Sequence, residues 1–531
     1  MQSIELVSGW LTDGSLAAMP AELPANLLRY GISGIYFTVL FLVAIFGFHR
    51  WMLVYLFYKH RRNAPQYNAC FCAMPRVTIQ LPMYNELYVA ERIIASTCAI
   101  EYPKDKLQIQ VLDDSTDATC GIAREVVERF AAQGFDISYL HRTNRTGFKA
   151  GALDEGLNTA TGEYIAIFDA DFIPQPDILK ETVNFFTDHR IGMVQVRWDH
   201  INRQHSLLTR SQAILLDAHF IIEHTARNRS GRFMNFNGTA GVWRRACIED
   251  GGGWEHDTLT EDLDLSYRCQ MKGWKFVFLP EITSPAELPP EIQGFKQQQF
   301  RWTKGAIQVA RKILPVILRS PLPAKIKIEA LFHLLNPLGY LFMSILVLFI
   351  LPAFYLRLTM FEGNSVLQFL FDISLFMVAS CSASTFYMAS QREIFRNWHE
   401  KIKYLPFLMS LGVGMALNNS KAALEALFGK ESAFERTPKF GLDAGQRGWS
   451  DKATSFKRKK RSLMPFIEIA YGLYCTACIV LCLRTGSMLS ISLPFLVIFA
   501  VGYYYVGFMS LYTAYVAKHR AAEDALPSSA A

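Results

Sequence analysis

Residues 164–171, YIAIFDAD, decide the fold of this 531-residue chain. Tyr164–Phe168 is an unbroken apolar run, which is typical of a short strand buried inside a sheet. Asp169, Ala170 and Asp171 follow directly at its end. Because carboxylates repel each other unless a cation or ligand compensates, the two acids predict a ligand site where this strand ends.

Similar short apolar runs lie on both sides of this strand. They are Arg76–Leu81, Ile109–Leu112, Met193–Arg197 and Lys275–Leu279. Helical patterns separate the runs, over 86–100, 118–133 and 148–159. Strands that alternate with helices predict an α/β domain with a doubly wound, mostly parallel sheet.

Two more strands end in polar groups. The first run leads into Asn85 and Glu86, and the second into Asp113 and Asp114. In open parallel sheets, ligands bind beyond the carboxyl ends of the strands, so these side chains are expected to gather with Asp169–Asp171. Such a carboxylate pair suits a hard divalent cation that bridges diphosphate oxygens. The alternative is a set of solvated turn acids that cap the next helices.

Three later segments add candidate groups. Asn144–Leu153 (NRTGFKAGAL) places Lys149 at the start of a predicted helix, where cations and free N–H groups suit phosphate. Thr258–Asp264 (TLTEDLD) opens another helix and carries Glu261 and Asp262. A carboxylate here suits a general base, although Thr258 and Glu261 also have the spacing of a capping box.

Gln297–Trp302 (QQQFRW) carries Gln298, Arg301 and Trp302. Arginine binds diphosphate through paired hydrogen bonds, and tryptophan offers a flat face for a sugar ring. An amphipathic helix on a membrane surface would use the same two residues.

Long apolar segments frame this soluble region. Mean hydropathy is +0.14, and hydrophobic residues make up 51% of the chain, which is high for a wholly soluble enzyme. Windows of about 20 apolar residues predict membrane spans. We therefore expect five spans, an outside N-terminus and a cytosolic catalytic domain. The expected segments are an extracytoplasmic 1–30, a span at 31–58, the catalytic domain with interfacial helices at 76–320, a span pair at 331–388, an interfacial helix at 404–425, a loop at 431–440, a second span pair at 464–515 and a tail at 516–531.

The positive charge lies beside these apolar segments. The net charge is +7, and its densest runs are 59–62 and 457–461, next to predicted spans. This placement follows the positive-inside rule and argues against nucleic acid as a partner.

Taken together, the motifs resemble the processive family 2 glycosyltransferases of the cellulose synthase-like group. The D, DxD, TED and QxxRW signature matches Asp113-Asp114, Asp169–Asp171, Thr260–Asp262 and Gln298–Trp302. Stretches such as Gly192–Arg197 (GMVQVR) and Phe236–Arg244 (FNGTAGVWR) resemble the glucomannan mannosyltransferase and β-glucan synthase branches. Glu431–Phe440 resembles the gating loop FxVTxK of that group, with Arg436 at the valine position.

The resemblance implies a GT-A-type catalytic domain between transmembrane helices, and it implies roles by position. Asp113 or Asp114 would hold the nucleotide, with Asn85 and Glu86 near the base. Asp169 and Asp171 would bind the diphosphate and Mg²⁺ or Mn²⁺. Asp262 would be the general base, Arg301 would stabilise the leaving diphosphate, and Trp302 would seat the acceptor sugar. The loop residues Phe434, Thr437 and Lys439 would close over the donor.

We therefore expect an inverting hexosyltransferase that transfers hexose from a nucleotide sugar (UDP-glucose or GDP-mannose) to a growing β-linked polysaccharide and extrudes it. The expected location is the plasma membrane of a bacterium or the Golgi membrane of a eukaryote. The first alternative is a non-processive transferase with a lipid acceptor. The second is a non-catalytic membrane channel that senses nucleotides.

Overall fold

The structure, a computed structural model, describes residues 22–352, 365–432, 434–442, 462–485 and 493–523. Its centre is a seven-stranded sheet in the order β3-β2-β1-β4-β6-β5-β7. The strands are β1 (Val77–Met83), β2 (Leu107–Asp113), β3 (Asp136–His141), β4 (Tyr164–Ile167), β5 (Ile191–His200), β6 (Gly241–Arg244) and β7 (Lys275–Ala286).

The sheet is mixed because β6 runs against its neighbours. Strands β1, β2, β3 and β4 pair in parallel, as do β5 and β7, whereas β6 is antiparallel to both β4 and β5. In the register of the first strands, Met83 lies opposite Asp113 and Gln80 opposite Ile167. This register brings the segments that follow β1, β2 and β4 to one edge of the sheet.

All five predicted strands are present, but β3 and β6 were not predicted. β3 is an edge strand with only one fully buried residue, so its sequence lacks the apolar run of a central strand. β6 has four residues and lies inside the motif Phe236–Arg244, whose polar turn hides the strand pattern.

Helices cover both faces of the sheet. The strand Tyr164–Ile167 shows why: Tyr164 and Ala166 pack into one apolar core and Ile165 and Ile167 into the other, as side chains alternate along a strand. The helices of this domain are Ala90–Cys98, Thr119–Ala131, Phe148–Thr159, Ile178–Val183, Leu207–Ala218, Thr225–Arg229, Arg245–Asp250, Glu261–Met271 and Ile292–Arg319, with a π-helix at His219–His224.

Three helices in the described part of the chain are long and apolar enough to cross a membrane: Gly34–His60, Met464–Arg484 and Leu493–His519. A fourth candidate is the pair Ala324–Leu335 and Leu338–Leu348, which is bent by 57°. The helix Ser365–Ile394 covers the rest of the predicted pair at 331–388, and residues 353–364 lie outside the described residues. The five-span arrangement stays a prediction, as do its segments 1–30 and 516–531, of which only 22–30 and 516–523 lie within the described residues.

The helix predicted at 404–425 is two helices, Leu405–Gly414 and Ala416–Leu427. The first packs closely on the helix Leu493–Glu523, because glycines at the contact let the backbones approach. A Cβ atom on Gly414 would lie 2.3 Å from the Gly502 carbonyl oxygen, so a side chain there would force the helices apart.

Candidate active site

One cleft opens where β1, β2 and β4 end. It holds about 1220 Å³ of space, which includes open solvent at its mouth. The predicted site residues that line it are Glu86, Asp114, Lys149, Asp169, Asp171, Glu261, Asp262, Gln298, Arg301, Trp302, Phe434, Thr437 and Lys439. The structure therefore gathers residues from 86 to 439 of the sequence at one edge of the sheet.

Two predicted site residues support the cleft from behind and do not line it. Asp113 is fully buried: its Oδ1 accepts a hydrogen bond from the Ser115 backbone N–H, and its Oδ2 accepts one from the Tyr139 hydroxyl. The Asn85 side chain accepts a hydrogen bond from the Thr116 backbone N–H, and Asn85 has a positive φ of 55° that asparagine tolerates better than most residues. Both hold the turns after β1 and β2 in shape.

Asp114 is the carboxylate after β2 that faces the cleft. The Arg142 guanidinium donates two hydrogen bonds to it, from Nε at 2.7 Å and Nη2 at 2.6 Å. Beside it, the Arg145 guanidinium lies 3.3 Å from the ring centroid of Tyr84. Tyr84 and Arg145 also line the cleft, and a planar cation stacked on an aromatic ring is a surface suited to a nucleobase.

The two carboxylates after β4 are each paired with a lysine. Lys149, in the first turn of the helix Phe148–Thr159, forms an ion pair with Asp169 and donates a hydrogen bond to the Gly238 carbonyl. Lys439 Nζ lies 2.6 Å from Asp171 Oδ2. The negative charges of Asp169 and Asp171 are thus compensated by lysines from two other segments of the chain.

The donor set after β4 fits a divalent cation. Asp169 and Asp171 offer hard carboxylate oxygens in the same cleft, and Mg²⁺ or Mn²⁺ binds through one or two such groups together with phosphate oxygens. Elsewhere in the described residues, two clusters bring three candidate ligands within reach of one another, Asp113-Cys120-His141 and Glu255-Asp257-Asp264. None of these residues lines the cleft.

Asp262 lies in the first turn of the helix Glu261–Met271 and faces the cleft. Burial and the neighbouring Glu261 raise the pKa of Asp262 to about 7, while Lys149 and Arg301 oppose the shift. Because a general base works best with a pKa near the operating pH, this environment suits proton transfer.

The helix Ile292–Arg319 presents Gln298, Arg301 and Trp302 to the same cleft. Burial lowers the pKa of Arg301, although Glu261 and Asp169 counteract it, and the group remains a cation because its ordinary value is so high. Trp302 lies beside Trp198, with ring centroids 6.4 Å apart, so the two indoles form one aromatic wall.

Residues 434–442 lie across the cleft. Phe434 stacks on Phe148 with centroids 5.6 Å apart, and the Arg301 guanidinium lies 4.7 Å from the Phe434 ring centroid. Arg436 Nη1 forms a 2.7 Å ion pair with Glu86, and its Nη2 donates to the Asn85 carbonyl. These contacts hold the segment between the two ends of the cleft.

Glu287 anchors the far end of this segment and was not predicted. Its carboxylate accepts hydrogen bonds from the backbone N–H groups of Phe440, Gly441 and Leu442, at 3.0, 2.8 and 3.3 Å. Burial raises the pKa of Glu287, while Lys439 and these N–H groups oppose the shift. Sequence reasoning also missed Tyr84, Arg145 and Asn237, because none belongs to an acidic or QxxRW motif.

Known proteins are similar to the part of the chain that forms this cleft. Residues 75–305 match the model described as glycosyltransferase like family 2. This part of the chain is therefore similar to family 2 glycosyltransferases. The match confirms the resemblance drawn from the motifs, and with the observed sheet it confirms the GT-A-type fold class.

Several plant glucomannan 4-beta-mannosyltransferases are similar to about half of this chain. The chain is 44% identical over 256 residues to glucomannan 4-beta-mannosyltransferase 1 of Oryza sativa subsp. japonica, covering 47% of this chain and 49% of that protein. It is 43% identical over 251 residues to glucomannan 4-beta-mannosyltransferase 2 of Arabidopsis thaliana, covering 46% and 47%. The chain thus spans about half the length of the curated relatives it matches.

Among solved structures, mannosyltransferase PcManGT from Pyrobaculum calidifontis, in complex with GDP-Man and Mn²⁺, is 19% identical. The match covers 76% of this chain and 99% of that chain, with a TM-score of 0.47.

Proposed function

We propose that this protein is a membrane-embedded inverting hexosyltransferase that extends a β-linked polysaccharide with hexose from a nucleotide sugar. The observation that carries the proposal is the convergence of Asp114, Asp169, Asp171, Asp262 and Arg301 on one cleft of a family 2 domain. The cleft combines carboxylates for a metal–diphosphate group, a cation for the leaving group and a buried acid for the base.

The donor nucleotide lies at the Tyr84–Asp114 end of the cleft. Arg145 and Tyr84 contact the base, and Asp114 is held by Arg142 so that its carboxylate stays fixed. Asp169 and Asp171 would hold a divalent cation, which would supply Lewis-acid stabilisation of the charge that develops on the leaving diphosphate. Arg301 stabilises the same charge from the other side of the cleft, and Lys149 compensates Asp169.

The acceptor sugar lies on Trp302. Asp262 takes the proton from the attacking hydroxyl, which must lie within about 3 Å of the carboxylate. The hydroxyl oxygen bonds to the anomeric carbon as the bond to the diphosphate breaks, and the configuration inverts. Phe434, Thr437 and Lys439 close over the donor, exclude water and so limit hydrolysis.

GDP-mannose is the favoured donor, because the plant relatives are glucomannan 4-beta-mannosyltransferases and match this chain at 43–44% identity. The polymer is extruded across the bilayer by the helices that flank the domain, of which three are long and apolar enough to span. We propose a multi-pass membrane location, with the catalytic domain in the cytosol.

The experiment supplies the protein in lipid nanodiscs with GDP-mannose or UDP-glucose, each with Mg²⁺ or Mn²⁺, and measures nucleotide release together with product size. Release coupled to a long polymer that a β-mannanase or β-glucanase digests supports the proposal and names the sugar. A small lipid-soluble product would instead indicate a glycolipid transferase. Absence of release with every donor would contradict enzymatic activity of the isolated chain.

A further inference from the structure

The exposed face of the helix Glu22–His60 changes from apolar to basic at its C-terminal end. Phe41, Phe48 and Tyr55 are exposed and recur every seven residues, so they lie on one face of the helix. Lys59 follows one turn after Tyr55 on that face, and its Nζ lies 5.5 Å from the Tyr55 ring centroid. Such a change, from apolar through aromatic to basic side chains, is typical of the level of the lipid headgroups.

The helix Ala324–Leu335 shows the same change in the reverse order. Lys325 lies exposed in its first turn, and Ile328 and Leu331 follow at intervals of three residues on the same face, both exposed. This helix is the first half of the bent span candidate. The two helices therefore each place a lysine where an exposed apolar face ends, one at its C-terminal end and the other at its start.

The loop at 229–232 joins the basic ends of the two helices. Lys325 Nζ donates a hydrogen bond of 3.1 Å to the Ser230 carbonyl. From the other side, the Arg229 guanidinium donates a hydrogen bond to the carbonyl of Arg61, which directly follows the first helix. Lysines and arginines from three separate segments are thus brought to one patch of the surface.

We call Lys59, Arg62 and Lys325 the basic cluster. All three are exposed, and none forms an ion pair with another residue that the structure describes. The charges of Lys59 and Lys325 both act on the His60 ring, so the two lysines lie within electrostatic reach of the same group. The acids at this patch each pair with an arginine: Glu393 with Arg61, Glu281 with Arg229 and Glu329 with Arg227. Positive charge therefore remains on this surface and favours an anion there.

We propose that the basic cluster binds the phosphate of anionic phospholipids in the leaflet beside the catalytic domain. The inference rests on the proposed membrane location and goes beyond the proposed activity. Anionic headgroups attract lysines and arginines that lie next to a membrane span. A lipid fits better than a soluble phosphate, because the exposed apolar faces of both helices continue from the two lysines and offer contact to the acyl chains.

The test measures which phospholipid the full chain retains. The protein is incubated in detergent micelles with equal amounts of phosphatidylglycerol and phosphatidylcholine of the same acyl chains and repurified, and its bound lipids are quantified by mass spectrometry. The wild-type protein should retain phosphatidylglycerol in preference. Lys59→Gln/Lys325→Gln should lower the phosphatidylglycerol-to-phosphatidylcholine ratio about fivefold or more, because two of the charges that attract the headgroup are lost. An unchanged ratio would overturn the inference.

Lys104→Gln/Lys106→Gln is the matched control. It removes the same charge from the short helix Lys104–Lys106 before β2, in the catalytic domain. The lipid ratio of this variant should equal that of the wild type. An equal loss in both double variants would show that net charge alone sets the lipid preference, and the basic cluster would then be no specific site.

Inorganic phosphate distinguishes a lipid site from a general phosphate site. Added before repurification, it should displace no more phosphatidylglycerol than sodium chloride of equal ionic strength, and stronger displacement would contradict the lipid assignment. Neither measurement needs hexose transfer. A wild-type protein that transfers hexose without a lipid preference would overturn this inference alone, whereas a lipid preference without hexose transfer would contradict only the proposed function.

Discussion

Arg436 and Glu86 form an ion pair across the cleft, with Arg436 Nη1 2.7 Å from Glu86 Oε2. The side chains are only 18% and 12% exposed, so the pair is shielded from solvent and salt. It ties the segment 434–442 to the turn after β1, at a second point besides the Glu287 anchor. The segment is thereby held at two points, Glu86 and Glu287. Arg436, which departs from the family pattern, makes the contact with Glu86.

Arg436→Met should remove this ion pair and leave the catalytic groups unchanged. Loss of one charge-assisted contact of about 1.5 kcal/mol should raise the donor KM about tenfold and increase the free hexose released by hydrolysis. The turnover number at saturating donor should change less than twofold. Lys430→Met is the control, since Lys430 is exposed, pairs with Glu425 and does not line the cleft. If the donor KM of both variants equals that of the wild type, the ion pair does not hold the loop.

The ion pair between Arg436 and Glu86 should also depend on pH. Burial raises the pKa of Glu86 to about 7, with Asp171 adding to the shift and Arg436 opposing it. Glu86 is therefore ionised and paired above pH 7, and it becomes neutral as the pH falls through this value. The donor KM of the wild-type protein should rise as the pH falls from 8 to 6, and the KM of Arg436→Met should stay nearly flat. Steady-state nucleotide release at several pH values measures both.

Asp262→Asn should remove the base but not the donor site. General-base catalysis contributes about 10²–10⁴-fold, so turnover should fall within that range while nucleotide-sugar binding stays within about twofold. Because Asp262 has a pKa of about 7 and must be ionised to accept a proton, wild-type turnover should fall as the pH falls through 7. The protonation of Asp262 lowers kcat, whereas the protonation of Glu86 raises the donor KM. Wild-type-like turnover of the variant would rule out Asp262 as the base.

Much of the site could be predicted because its acids follow apolar strands. The run Tyr164–Phe168 predicted both β4 and the position of Asp169 and Asp171, since the strand period and the sheet direction set where the next residues lie. The choice between Asp113 and Asp114 could not be made in this way. It depends on the hydroxyl of Tyr139 and the guanidinium of Arg142, which come from an unpredicted edge strand and the residue after it.

Contacts between distant segments could not be predicted from the sequence for a related reason. Lys439 lies 268 residues from Asp171 in the sequence, and the carboxylate of Glu287 binds backbone N–H groups that carry no side-chain signal. The π-helix His219–His224 also escaped prediction, because its pattern of buried apolar residues continues that of the preceding helix Leu207–Ala218. Tertiary packing decides all three features, and neither local periodicity nor motif spacing encodes it.

Lys439→Met tests whether Asp171 is a metal ligand. In the structure the ammonium of Lys439 lies 2.6 Å from Asp171 Oδ2, where it competes electrostatically with any divalent cation at that carboxylate. The variant should therefore bind Mn²⁺ at least tenfold more tightly without donor, because one positive charge at this distance costs a bound cation more than about 1.4 kcal/mol even at an effective dielectric constant of about 20. Titration of free Mn²⁺ by electron paramagnetic resonance measures this affinity, with Lys430→Met as the surface control. The donor KM of Lys439→Met should rise, because the variant lacks one of the residues that close over the donor. Equal Mn²⁺ affinity in the wild type and Lys439→Met would mean that the cation does not use Asp171, and Asp171→Asn should then leave Mn²⁺ binding unchanged as well.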